Sequence, residues 1–305
     1  MTITSRQYAG DGDLRAVLQL VSHLTDHTHS AGWHHGDVLW GIYANMIFDP
    51  RRNIRLWEDT HGALCGFAWL DEAGWLAICS DPRTGGAEDI ALAMLAWADE
   101  RGRERALEAG AEVRAPDVQA LESETALARL LTGCGYTPEG EVLVYMRQAL
   151  GRALPEPALP AGWTVRQVGG EEEWQERVAA HRDVWPRSRM TLDSYRRLRS
   201  VPEYAHDLDL DLAAVSPEGT IAAYTIVWYD AGTASGQFEP VGTRPAFRQR
   251  GLGRAVLLEG LRRLMARGAR TAIVNTNEGN AAARALYTSV GFRVHDRFLT
   301  YARKP

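Results

Sequence analysis

Apolar and polar residues follow two periods along this chain, one typical of helices and one typical of strands. In residues 14–24 and 174–184 the apolar positions recur at helical spacing, less regularly in the second segment. Four segments have the apolar or alternating pattern of strands: residues 54–57, 65–70, 210–215 and 221–228. The pattern therefore predicts mixed helices and strands, in a similar order in the two halves of the chain.

Each half also closes in the same way. An amphipathic helix is followed by a glycine–aromatic pair, Gly135-Tyr136 in the first half and Gly291-Phe292 in the second. A final strand is predicted after each pair. This second correspondence between the halves favours an internal repeat over two unrelated modules.

The stretch between the halves reads GRALPEPALPAG, at residues 151–162. Proline fixes the backbone angle φ and removes an N–H donor, so this stretch is neither a helix interior nor a central strand. We therefore predict two α/β (α+β) domains, residues 1–150 and 163–305, joined by a proline-rich linker.

Composition and charge exclude several classes of function. Of the 305 residues, 45% are hydrophobic and 24% are charged, as in soluble globular proteins. The formal net charge of −5 offers no electrostatic footprint for nucleic acid or an anionic membrane. The apolar run at residues 90–98 is too short for a membrane span, and MTITSRQYAGDGD lacks the apolar core of a secretory signal. We expect a cytoplasmic protein with no nucleic-acid or membrane partner.

The first candidate for chemistry is the segment RQRGLGR, at residues 248–254. It follows a predicted strand end and directly precedes an amphipathic helix that ends near Gly268. Glycines at such a turn let the backbone approach a ligand, and the helix N-terminus and the arginines favour a diphosphate. The segment is no Walker A loop, since no Gly-Lys-Ser/Thr follows, and its G-x-G spacing is a poor dinucleotide fingerprint.

A second motif lies downstream, where NAAARALYTSVGF at residues 280–292 reads as a helix ending at its glycine, after a predicted strand at 271–276. The pattern R-x-x-G-x-G followed by N-x-x-A-x-x-L-Y-x-x-x-G-F resembles the GNAT superfamily of acyl-CoA-dependent N-acyltransferases in content, order and separation. The resemblance extends over the C-terminal half, from about Trp163. A looser similarity of residues 190–215 and 238–243 is to the tandem-domain branch that includes mycothiol synthases.

The resemblance implies two tandem GNAT-like domains, each a mixed, mostly antiparallel twisted sheet flanked by helices. It also implies acetyl-CoA as co-substrate and no metal. The loop would hold the CoA pyrophosphate, and backbone groups of the strand before it would pair with the pantetheine arm as if with an added strand. The implied binding residues are Val241, Gly242, Thr243, Arg248, Gln249, Arg250, Gly251, Leu252, Gly253, Arg254 and Asn280.

The implied reaction is direct transfer of an acetyl group to a primary amine, of a small molecule rather than of a protein. Tyr287 stands where the family places its general acid, although a tyrosine near a helix end can also be a packed aromatic. Glu239 is the candidate base, acting through water on an ammonium substrate, and its alternative is a solvated strand carboxylate. The alternative function is a non-catalytic acyl-CoA-binding or sensing protein. We expect the protein to be a monomer or a homodimer.

The first half keeps the scaffold of the motif without its chemistry. Aligning the two closing glycines places Leu131 opposite Tyr287 and Glu124 opposite Asn280. In the loop at residues 81–89 a proline replaces the motif arginine, and two carboxylates begin the helix, where they would repel a pyrophosphate. We predict a degenerate GNAT-like domain that shapes the substrate cleft or takes the place of a dimer partner, and weak CoA binding there stays open.

Other clusters invite metal hypotheses, and each has a simpler interpretation. The cluster HTHSAGWHH lacks accompanying carboxylate ligands at metal-binding spacing, and the three cysteines are widely separated. Its histidines are His27, His29, His34 and His35, and the cysteines are Cys65, Cys79 and Cys134. Asp207, Asp209 and Asp211 nearly match a calcium loop. A leucine holds the required glycine position, and the Asp-Leu alternation predicts a strand whose acidic face would attract a cationic amine.

Overall fold

The computed structural model describes residues 3–28, 32–45 and 49–303, without the side chains of residues 26–28 and 45. The chain forms two compact units, and each unit is made of stretches that are separate in the sequence. The first unit comprises Met1–His34, Ile47–Val144 and Asp296–Pro305, and the second comprises His35–Met46 and Tyr145–His295. Residues 151–162 form neither helix nor strand, as their prolines require. The domain boundaries drawn along the sequence stay a prediction.

The described strands are β1 (Thr4–Gln7), β2 (Ile54–Glu58), β3 (Leu64–Leu70), β4 (Trp75–Ser80), β5 (Asp117–Leu121), β6 (Thr137–Ala149), β7 (Thr164–Gln167), β8 (Asp211–Val215), β9 (Ile221–Asp230), β10 (Ser235–Thr243), β11 (Thr271–Asn277) and β12 (Arg293–Ala302). The described α-helices are α1 (Asp11–Thr28), α2 (His35–Trp40), α3 (Pro50–Asn53), α4 (Ala87–Ala109), α5 (Thr125–Gly133), α6 (Glu171–Val184), α7 (Leu192–Arg199), α8 (Pro202–Ala205), α9 (Leu252–Ala266) and α10 (Ala281–Val290). A π-helical turn at Gly41–Asn45 continues α2. None of the helices in the described ranges is long and apolar enough to cross a membrane.

The two units repeat one order of strand pairing. In the first unit the order is β1-β2-β3-β4-β5-β12, antiparallel throughout except for the parallel pair β4–β5. In the second unit the order is β7-β8-β9-β10-β11 and then the C-terminal part of β6, antiparallel from β7 to β10 and parallel for β10–β11. The expected repeat of a mixed, mostly antiparallel sheet flanked by helices is confirmed.

The segments that the periodicity predicted lie in helices and strands of the expected type. The helical segments 14–24 and 174–184 lie within α1 and α6, and the strand-like segments lie in β2, β3, β8 and β9, except for Leu210, which belongs to a 3-10 turn. α9 is the amphipathic helix predicted directly after residues 248–254, and Leu257, Leu261 and Leu264 on its apolar face have no exposed surface. A helix whose apolar stripe faces a sheet gains most of its stability from that burial.

The strand predicted from the Asp-Leu alternation is correct only from Asp211 onward. Leu208–Leu210 form a 3-10 turn instead of a strand. Asp207 and Asp209 both bind the guanidinium of Arg267, just beyond the end of α9, and this charge-assisted pairing favours the turn. Asp211 is completely buried, so the expected exposed acidic face does not exist and that expectation is wrong.

Candidate active site

Strands β10 and β11 separate after a short paired stretch in the second unit. The residues from Ser235 to Gln237 pair with the residues from Thr271 to Ile273, and the pairing ends there. Beyond that point β10 continues to Thr243, paired with β9 on its other side. The edge of β10 that turns toward β11 therefore carries backbone groups able to pair with an extended ligand, and the predicted residues Val241, Gly242 and Thr243 lie on this stretch.

A β-bulge places Glu239 at the point where the two strands separate. The register of β10 against β9 shifts between Phe238 and Val241, so Glu239 and Pro240 together oppose one residue of β9. Trp228 donates its indole N–H to the carbonyl oxygen of Glu239 at 2.5 Å. Bulges re-aim side chains next to functional sites, and a proline inside a strand was the sequence signal that could have revealed this one.

Tyr287 reaches the same region through two aromatic contacts. Its side chain is 6% exposed and meets Phe292 edge-on, with ring centroids 6.2 Å apart. The ring of Phe292 in turn packs perpendicular to that of Phe238, with ring centroids 5.9 Å apart. Phe238 directly precedes Glu239 in the sequence. Burial and the charge of Glu239 raise the pKa of the Tyr287 hydroxyl above its usual range, so this group keeps its proton throughout neutral and mildly basic pH.

The carboxyl group of Glu239 has an acidic neighbour, Asp37, that sequence reasoning missed. Burial and the negative charge of Asp37 raise the pKa of Glu239 to about 8. Asp37 lies on α2, which packs against β9 and β10 within the second unit. Its Oδ1 accepts a hydrogen bond from Nε2 of Gln237 at 2.7 Å. No sequence motif links these positions, so only the fold reveals the contact.

A glycine brings Asp37 into this position. A Cβ atom on Gly36 would lie 2.3 Å from Cδ1 of Trp228 and 2.4 Å from Oε1 of Gln237. No other residue allows α2 to approach the strands so closely without displacing these side chains. Gly36 therefore holds α2 against the bulged part of the sheet.

The loop predicted to bind pyrophosphate forms the N-terminus of α9. Gly251 is its N-cap, with a φ of +80° that favours glycine. The first intrahelical hydrogen bond runs from the N–H of Ala255 to the carbonyl oxygen of Gly251, at 3.0 Å. The N–H groups of the three residues before Ala255 therefore have no acceptor within the helix. These are Leu252, whose side chain is buried in the core, Gly253 and Arg254. The helix end thus presents donors and positive potential to an anion.

Arginines flank this helix end in exposed positions. Arg248 donates from Nε to the carbonyl oxygen of Thr243 at 3.3 Å, which folds its side chain over the end of β10. Arg250 lies with its guanidinium 5.4 Å from the ring of Phe247. Gln249 between them has a φ of +61° and is exposed. The predicted loop residues therefore gather at one surface beside β10.

Asn280 is the N-cap of α10. Its Oδ1 accepts a hydrogen bond from the N–H of Ala283 at 3.1 Å, which satisfies one of the helix's unpaired donors. The predicted contact with a pantetheine arm would therefore use the amide nitrogen, Nδ2. The helix ends at Gly291, with φ of +114°, as the sequence pattern predicts.

The corresponding part of the first unit has different chemistry. Leu131, at the position of the tyrosine, is completely buried in the core. Glu124 accepts a hydrogen bond from the N–H of Leu121, and burial raises the pKa of its carboxyl group to about 7. Arg83, beside the substituted proline, pairs with Asp81 at 2.9 Å. A cleft of about 740 Å³ between α4 and α5 is lined mainly by apolar groups, with Glu88 and Glu124 among the charged ones.

The structure gives no support to the metal hypotheses where it describes their residues. Groups of three or more histidine, cysteine or carboxylate side chains suited to a metal do not occur within the described residues. His34 is buried, and His35 lies 3.8 Å from Asp230. His29 and the side chain of His27 lie outside the described residues. Cys65, Cys79 and Cys134 are free thiols.

Comparison with known proteins adds a family relationship to this geometry. Residues 171–292 match the Acetyltransferase (GNAT) family. The mycothiol acetyltransferase of Salinispora arenicola is 30% identical over 251 residues, which cover 79% of this chain and 78% of that protein. The mycothiol acetyltransferase of Frankia casuarinae is 31% identical over 201 residues, covering 61% of this chain and only 57% of that protein, so this match spans little more than half of the relative.

A solved structure has a similar fold. A tandem GNAT protein from the clavulanic acid biosynthesis pathway superposes with a TM-score of 0.64 and covers 98% of each chain, at 16% sequence identity. At this level of identity the likeness concerns the fold alone. It agrees with the repeated strand order seen in the two units.

Proposed function

The chain belongs to the GNAT family of acetyltransferases, and from this premise we propose that its second unit is an acetyl-CoA-dependent N-acetyltransferase acting on a primary amine. The observation that carries the proposal is the convergence of Tyr287 and Glu239 where β10 and β11 separate. Burial and the charge of Asp37 raise the pKa of Glu239, and burial and the charge of Glu239 raise the pKa of Tyr287. These shifts suit a base that takes a proton from an amine and an acid that keeps its proton until the sulfur leaves.

The second unit offers the groups that acetyl-CoA needs. The N-terminus of α9, with Arg248 and Arg250, suits the pyrophosphate by charge and by its N–H donors. The edge of β10 at Val241 and Thr243 suits the amides of the pantetheine arm, with Asn280 as a further donor. The arm would then run toward the bulge that carries Glu239.

The chemistry requires a neutral amine and a proton for the leaving sulfur. When bound, acetyl-CoA supplies the acetyl group as a thioester. Glu239, whose pKa is about 8, accepts a proton from an ammonium group through a bridging water once its carboxyl group has ionised, and does so increasingly as the pH approaches 8. Tyr287 keeps its proton over this range and donates it from its hydroxyl to the departing sulfur. No covalent enzyme intermediate is needed.

We propose a small cationic amine as acceptor. The relatives are named mycothiol acetyltransferases, which favours a small molecule over a protein. Asp37 and Glu239 place two carboxyl groups beside the reacting position, an arrangement that favours a positively charged substrate. The first unit, with Leu131 in place of the tyrosine and no arginine at the motif position, has a supporting role.

Two measurements on the purified chain test the proposal. Calorimetric titration with acetyl-CoA should give one site per chain, and thiol release in the presence of a panel of primary amines should show turnover with at least one cationic member. Binding without turnover on any amine would favour the non-catalytic acyl-CoA-binding alternative. Two sites would mean that the first unit also binds CoA, and absence of binding would overturn the assignment of the loop.

A further inference from the structure

A cluster of charged and aromatic side chains is largely buried in the second unit, between β8, α6 and α7. Arg177 and Asp211 have no exposed surface, and the side chain of Arg199 is 7% exposed. Asp211 accepts a hydrogen bond from Nε of Arg177 at 3.2 Å and from Nη1 of Arg199 at 3.0 Å. The hydroxyl of Tyr195 also donates to Asp211. One carboxylate thus serves two guanidinium groups.

The cluster contains two positively charged side chains and one negatively charged one. Neither arginine binds a second carboxylate within the described part of the chain. Burial raises the pKa of Tyr195 and Tyr204 far above the usual range, so both stay neutral. His181, which bonds Tyr224 and Ser188, is neutral as well, because burial and the charge of Arg177 lower its pKa to about 3. The net charge of these side chains is therefore +1.

The same side chains have unused hydrogen-bond donors. Nη1 and Nη2 of Arg177, Nε of Arg199 and the hydroxyl of Tyr204 are buried, and none has a hydrogen-bond partner among the described residues. The guanidinium of Arg177 lies 3.9 Å from the ring centroid of Tyr224, and that of Arg199 lies 5.1 Å from Trp174. Ring faces offset part of the charge by cation–π attraction, but they leave the N–H groups without acceptors.

Excess charge and unused donors point to the same kind of ligand. A buried unpaired charge and buried unpaired donors each destabilise a folded protein, and native structures contain few of them. A bound group with one negative charge would compensate the excess positive charge and also accept hydrogen bonds from the unpaired donors. A neutral water would accept hydrogen bonds but leave the charge uncompensated.

We propose that the second unit binds a small monovalent anion, chloride in ordinary buffers, at Arg177, Arg199 and Tyr204. The anion would fix α6 and α7 to the sheet at β8. Since β8 neighbours β9, and β9 carries the bulged strand β10, its effect is on the stability of the scaffold that supports the candidate active site. The proposal is independent of the acetyltransferase assignment.

Thermal unfolding of the whole chain tests it. Tm is measured in sodium chloride and in sodium gluconate at equal ionic strength, because gluconate is too large for an enclosed site. A ligand that binds only the folded state raises Tm with its concentration, here by roughly 3 to 6 °C at saturating chloride. Equal Tm values in the two salts would overturn the proposal. A crystal grown in sodium bromide should show anomalous scattering at the cluster, and a water there instead would also overturn it.

A matched pair of variants links the effect to the cluster. Arg199→Met removes the excess charge while leaving the Arg177–Asp211 pair, and should abolish the chloride-dependent rise in Tm. Arg196→Met changes an exposed arginine of the same helix, which pairs with Asp193, and should retain it. If Arg199→Met fails to fold, the salt comparison and bromide scattering on the unmodified chain still decide the question.

Discussion

The side-chain amide of Gln237 donates a hydrogen bond to Asp37, a residue 200 positions earlier in the chain. The contact joins α2 to β10 inside the second unit, beside the carboxyl group of Glu239. It means that a residue from the N-terminal half of the sequence influences the proton affinity of the proposed base. The properties of the candidate site are therefore set by both halves of the sequence.

The clearest test of the acid is Tyr287→Phe. The variant keeps the ring that packs on Phe292 but loses the hydroxyl, so turnover should fall about 100-fold or more while acetyl-CoA affinity is unchanged. Steady-state kinetics and calorimetric titration measure the two effects. Tyr229→Phe removes a hydroxyl that donates to the carbonyl of Arg267 and serves as the control. Full turnover in Tyr287→Phe would show that another group donates the proton.

The pH profile tests the base. Because the pKa of Glu239 is raised to about 8, kcat/KM should increase with pH as this carboxyl group loses its proton, and level off above about pH 8. Asp37→Asn removes the like charge that helps to raise the pKa, so the rising limb should move to lower pH with the same amine. Asp193→Asn, an exposed carboxylate elsewhere in the second unit, should leave it in place. A profile unchanged by Asp37→Asn would contradict the coupling.

Acetyl-CoA binding should depend on the loop before α9. Arg250→Ala removes an exposed charge beside the helix N-terminus and should weaken acetyl-CoA binding about tenfold or more, with a smaller loss at high salt. Gly251→Ala should weaken binding as well, because φ of +80° strains any other residue. Arg196→Ala is the distant control. Affinities that match the unmodified chain would remove the pyrophosphate assignment.

Gly36→Ala tests the approach of α2 to the sheet. The added Cβ would overlap Trp228 and Gln237, so the variant should lose about 1–3 kcal/mol of unfolding free energy and much of its activity. Its pH profile should shift in the same direction as that of Asp37→Asn, because Asp37 moves away from Glu239. Chemical denaturation and kinetics provide the measurements. Gly12→Ala, where a Cβ atom in helix α1 meets nothing within 4 Å, should leave activity unchanged and should not lower the unfolding free energy, and an unaffected Gly36→Ala would refute the close-approach argument.

Several features of the fold could be predicted from local sequence. The helical period marked α1 and α6, and the glycine after Val290 marked the end of α10, because helix and cap geometry depend on residues within one or two turns. The Asp-Leu alternation misled for the opposite reason. Arg267, 60 residues from Asp207 and 58 from Asp209, binds both carboxylates and holds them in a turn.

By itself, the sequence determined the element types, the repeated order of the halves and the motifs that mark the family, since these rest on short-range periodicity, caps and spacing. Only the tertiary structure decided which segments share a unit, that Asp37 lies beside Glu239, and that Asp211 is enclosed with two arginines. Burial and electrostatic coupling act through space and set proton affinities and charge balance. Neighbours in space that are distant along the chain leave no local pattern to read.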